Sequence, residues 1–155
     1  MPTCLDDLQT VLEEIRDALV LAIPDTGWLT WAAPVISQPG TITISSTTIA
    51  EYRVAGGMLD ARLNLAFGSA GTSGNNIVLS GLPVQPELNT AGQVLGSGFF
   101  YFSGTSYGFF LTPNGSGGAL LVFGGAGGIL GTNPSVAIAG DDTVYMALRY
   151  RVEVS

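Results

Sequence analysis

The chain has no histidine, no lysine and a single cysteine, Cys4. Without histidine, a Ser-His-Asp or Cys-His nucleophile cannot be assembled within it. One cysteine permits no intrachain disulfide, and no zinc site can be built from Cys and His. The five cations are all arginine, at positions 16, 53, 62, 149 and 151, against twelve acids. A net charge of −7 with so few cations leaves no basic patch able to neutralise several phosphates. Nucleic acid is therefore not expected as a partner. Charged residues make up only 11% of the chain, under half the usual share of roughly 25%. Yet no apolar run is long enough for a spanning helix, because the stretches 18–24 and 118–131 are too short or too glycine-rich. Membrane insertion is not expected. An acidic N-terminus with a short apolar run is also unlike a secretory signal. Apolar content of 46% with little charge calls for burial elsewhere, and a subunit interface is the expected place.

What is present divides in two. Residues 5–19, LDDLQTVLEEIRDAL, are written as a helix, and Thr3 with Asp6 three residues on resembles a capping box. Leu5, Leu8, Leu12, Ile15, Leu19 and Ala22 follow a 3-4-3-4-3 spacing, the seam of a heptad repeat, and Pro24 ends the run. The acids Asp6, Asp7, Glu13, Glu14 and Asp17 lie off the seam. So short a helix holds poorly alone in water. Its seam is expected either to fold back on the chain or to pair with copies of itself. Self-association is the sharper expectation, and Leu at a with Ile at d leans towards three or more strands. Leu5, Leu8, Leu12, Ile15 and Leu19 are the expected assembly residues.

Beyond residue 40 the text changes to short strands and turns. The stretches 41–45, 49–55, 58–67, 77–83, 93–104, 106–112, 118–124, 135–139 and 143–154 read as strands, separated by Gly, Pro, Asn and Ser. Gly56-Gly57 marks a tight hairpin. In the alternating run 58–67, Met58, Ala61, Leu63, Leu65 and Phe67 are assigned to one face. The expected architecture is mainly β, a jelly roll or β-sandwich of about nine or ten strands. The expected division is a helix over 1–24, a linker over 25–40 and a head over 41–155. Trp28 and Trp31 are expected to pack where helix and head join, with an exposed sugar platform as the alternative.

Little else carries chemistry. GGAGGILG, at 124–131, lacks the Lys-Ser/Thr of a phosphate loop and has Leu130 where a dinucleotide fingerprint needs glycine. Asp141-Asp142 reads as a turn rather than a calcium site. Glu51, Asp60 and Glu87 could supply a glycosidase pair, but nothing in the sequence brings two of them together. No enzyme activity and no cofactor or metal are expected. The turns 68–76, 103–107 and 113–118 are rich in hydroxyl and amide groups suited to neutral sugars. Tyr101, Tyr107 and Asn114 are the expected ligand-binding residues.

The order of features resembles a known group. A heptad helix and a Trp-containing connector precede AEYRVAGG (50–57), LSGLPVQP (79–86), a Gly-aromatic strand pair and AGDDTVYMALRYRV (139–152). This is similar to the small trimeric jelly-roll heads of tailed-bacteriophage tail and fibre proteins, and more distantly to complement-globular-head and tumour-necrosis-factor-like domains. The resemblance, over 28–155, implies a homotrimer around a three-fold axis, located on a virion. It implies contact with other virion proteins and with host cell-surface polysaccharide, and no catalytic residues. The helix is then expected to be the docking element. Two roles stay open: a tail or baseplate host-adhesion protein, and a capsid-decoration or head-fibre structural trimer.

Overall fold

The computed structural model describes residues 4–21, 25–32, 34–39, 42–87, 93–114, 118–123 and 128–152, with side chains 4–6, 19–21 and 120–123 outside the description. The chain is mainly β, with one helix, α1 (Cys4–Leu21), followed by ten strands. These are β1 (Leu29–Thr30), β2 (Val35–Ser37), β3 (Ile44–Ala55), β4 (Met58–Phe67), β5 (Val78–Ser80), β6 (Gly96–Phe102), β7 (Thr105–Pro113), β8 (Ala119–Phe123), β9 (Gly128–Ile129) and β10 (Thr143–Arg151). The expected sandwich-type head with a short N-terminal helix is the observed one. Thr3 and Pro24, the expected start and stop of the helix, lie outside the described residues.

The strands form one antiparallel ladder in the order β1-β3-β4-β10-β6-β7-β8-β5-β2, with β9 paired to β8. Laid flat, nine strands would span about 38 Å between the outermost two. But β1 and β2, at opposite ends of the ladder, are joined by residues 31–34 alone, which reach at most about 18 Å. The sheet must therefore curl until its ends approach, and one core fills the interior. Trp31, in that connection, is buried and its Nε1–H donates to the Gly81 carbonyl at 2.7 Å. Strands β6, β7, β8 and β10 make a Greek key: three hairpin-linked strands, then a fourth returning beside the first.

The alternation is strict on β4, where Leu59, Ala61, Leu63, Leu65 and Phe67 are buried and the residues between them are partly exposed. Met58 belongs to the outer set, not the inner one, because side chains alternate with a period of two and Leu59 takes the core position. Phe67, Phe100 and Phe102 stack at 5.6 and 4.1 Å between centroids, and Tyr107 closes the row edge-on at 5.6 Å.

Several segments depart from the sequence reading. Where strands were expected at 41–45 and 49–55, a single strand, β3, runs from Ile44 to Ala55. Residues 25–40, expected as a linker, supply β1 and β2 and thus both ends of the ladder. Residues 135–139, expected as a strand, join no ladder. Ile138 is nevertheless fully buried, and its N–H donates to the side chain of Gln38 at 3.0 Å. A buried amide takes the place of a strand partner, which no strand pattern can foretell.

Candidate functional site

Three of the expected assembly residues are open to view. Leu8, Leu12 and Ile15 are each more than half exposed, with Val11 beside them. Leu5 and Leu19 are within α1, but their side chains lie outside the described residues. The stripe Leu8, Leu12 and Ile15 is thus exposed in the single chain.

The expected ligand residues are not brought together. Tyr101 pairs with Ser106 across β6 and β7 and faces out, whereas Tyr107 sits opposite Phe100, on the other face. Tyr107 packs edge-on against Phe102. Asn114 follows the far end of β7, where its Oδ1 accepts the Gly118 N–H at 3.2 Å. Of the three, only Tyr101 presents an open ring. Asn114 bonds instead to the backbone of Gly118, four residues on.

The sequence reading missed a larger feature, the outer face of β4, β10, β6 and β7. Register aligns Tyr145 with Phe99 and Thr143 with Tyr101 across β10 and β6. It aligns Phe99 with Gly108 and Ser97 with Phe110 across β6 and β7. Phe99, Tyr101, Phe110 and Tyr145 therefore share one face, and all are about half exposed or more, Phe99 at 61%. Between Phe99 and Phe110 lies a cleft of about 380 Å³ over Gly98 and Gly108, rimmed by Ser97 and Ser106. The Phe99 ring lies over Gly108, its edge 3.7 Å from where a Cβ would stand, an ordinary van der Waals distance. The signal was in the sequence: each of these aromatics alternates with a core residue. Only pairing shows that the four outward positions on three strands adjoin.

Beyond Ser97 and Ala147 the same face becomes charged. Trp28 lies there, about two-fifths exposed, with the Arg62 guanidinium 4.2 Å and the Arg53 guanidinium 5.3 Å from its ring centroid. Such stacking is favourable because the cation meets the negative face of the ring. Arg62 also bonds Glu51, and Arg53 bonds Asp60 at 3.2 Å and reaches Asp25 at 3.9 Å. Arg149 approaches Asp60 at 3.6 Å, and Arg151 approaches Glu87 at 3.3 Å. A groove of about 480 Å³ runs between Trp28 and the small residues Gly96, Ser97 and Ala147. The three acids weighed as a glycosidase pair are thus each engaged by arginine: Glu51 by Arg62, Asp60 by Arg53 and Arg149, Glu87 by Arg151.

The two tryptophans part company: Trp31 is core, Trp28 is surface. Asp142 acts in a turn, since its buried carboxylate accepts the Ala139 N–H at 2.7 Å and the Ser103 N–H at 3.2 Å. Among the described residues no cluster of three or more Cys, Asp or Glu could hold a metal, and no helix is long and apolar enough to cross a membrane. No family model, curated protein or solved structure matches this chain.

Proposed function

We propose that this chain is a non-enzymatic virion protein of a tailed bacteriophage, assembled as a homotrimer and serving to attach the particle to host cell-surface glycan. The observation that carries the assembly part is the uncovered stripe Leu8, Leu12 and Ile15 on α1. An apolar helix face left in water is unfavourable, and a heptad face is covered best by another helix of the same pattern. The helix then serves as stalk or docking element and the β head as the outward part. The hydroxyl-rich turns 68–76 and 103–107 offer hydrogen-bonding groups for a neutral glycan.

A second reading, a structural trimer decorating the capsid, draws support from the separation of Tyr101, Tyr107 and Asn114 over different surfaces. Immunogold labelling of intact virions separates the two. Label on the tail or baseplate, with binding of purified trimer to susceptible cells, supports adhesion. Label on the capsid supports decoration. A monomer mass in sedimentation at micromolar concentration defeats both.

A further inference from the structure

We propose that the outer face of β4, β10, β6 and β7 packs against a second copy of this chain, with Phe99, Tyr101, Phe110 and Tyr145 at the centre of the contact. The inference rests on the self-assembly reading above and names where the heads meet.

The water-facing side of an antiparallel sheet is ordinarily polar, and Asn64, Ser97 and Ser106 show that this one can be. Four large aromatics stand there instead, contiguous by register and about half exposed. At 150–250 Å² per aromatic, roughly 400 Å² is left uncovered, about half of what one partner brings to a standard interface. The adjoining groove beside Trp28 extends it.

All four arginines of the head lie along this sheet, each against a carboxylate: Arg53, Arg62, Arg149 and Arg151 with Asp25, Glu51, Asp60 and Glu87. Four cations and four anions cancel, although the chain as a whole carries −7. A neutral face selects no strongly charged partner, and two copies of it meet without net repulsion.

α1 ends at Leu21, and Asp25 already reaches Arg53 on this sheet. Four residues span at most about 14 Å. Helices joined side by side through Leu8, Leu12 and Ile15 therefore hold the heads close to one another.

The test is thiol accessibility in the full chain. Ser97 lies on this face between Phe110 and Ala147, and Ser73 lies exposed in the 68–76 turn. In a Cys4→Ser background, Ser97→Cys is expected to react with a maleimide at least about tenfold more slowly than Ser73→Cys in the assembled protein. Adding Phe99→Ser and Phe110→Ser is expected to abolish that protection and to raise the concentration at which the assembly dissociates by tenfold or more. Equal labelling rates in a protein of trimer mass overturn the face while sparing helix-driven assembly. Protection that appears only on adding host-wall glycan also overturns it, since the face then belongs to the glycan. A wild-type monomer overturns the self-assembly reading itself.

Discussion

The side chain of Gln38 holds the backbone of Ile138, a hundred residues further along the chain, by accepting its N–H at 3.0 Å. The same amide donates to the Asn75 carbonyl at 2.9 Å and the Val136 carbonyl at 2.8 Å. One buried residue after β2 thus gathers two loops that belong to no ladder. Gln38→Ala leaves all three backbone groups without this partner. The expected cost is about 3 kcal/mol, or a fall of about 6–12 °C in Tm. Differential scanning calorimetry checks it; a change under 2 °C would mean that water replaces the amide without loss.

Asp142 plays a similar part on the opposite strand entry. Its carboxylate takes the N–H groups of Ser103 and Ala139, joining the β6–β7 turn to the start of β10. Asp142→Ala is expected to destabilise by about 2–3 kcal/mol, since hydrogen bonds to a charged group are the stronger kind. In urea unfolding the midpoint should drop while the slope stays unchanged.

Tyr150 gives a pH signature. Its hydroxyl donates to the Val84 carbonyl at 2.6 Å, and burial pushes its pKa well above the ordinary tyrosine value. Folding therefore favours the neutral phenol, whose contribution is complete below a pH of about 10, the unfolded value, and is lost as pH rises through that value towards the folded one. At neutral pH, Tyr150→Phe should cost about 1–2 kcal/mol. Above pH 10 the gap between wild type and variant should shrink. A gap that stays constant to pH 11 counts against this account.

Gly98 is required by the close approach of its neighbours. A Cβ there would meet the Tyr145 carbonyl oxygen and lie 2.8 Å from both Met146 Cα and Phe109 Cζ. Gly98→Ala is expected to cost about 1–3 kcal/mol through overpacking at the β6–β10 seam. Thermal melting measures it, and an unchanged Tm would show that the seam can open freely.

Leu12→Asp tests the helix. In a self-associated seam it buries a carboxylate, at a cost of several kcal/mol, and sedimentation should shift from about three times the 16.0 kDa chain mass towards a monomer. The head should keep its β circular-dichroism spectrum. Unchanged assembly would place the seam outside the interface.

Period and turn chemistry determined much of this protein from sequence alone. The 3-4 spacing of Leu5 to Leu19 gives a helix with an apolar stripe, because those residues return to one side every two turns. Alternation in 58–67 and 143–151, broken by Gly56-Gly57 and Gly140-Asp141-Asp142, gives strands and turns by equally local rules. What the tertiary structure alone decided is which strands adjoin. The return of β10 between β4 and β6 sets Tyr145 beside Phe99, and the hairpin sets Phe99 and Phe110 on one face. The same pairing sends Tyr107 to the opposite side from Tyr101. Residues 25–40 looked like a connector because two- and three-residue strands carry almost no periodic signal. Residues 135–139 looked like a strand because Val136 and Ile138 alternate with small residues, yet their backbone bonds to Gln38, far away in sequence. A strand's period fixes which of its residues share a face; only its neighbours decide what that face becomes.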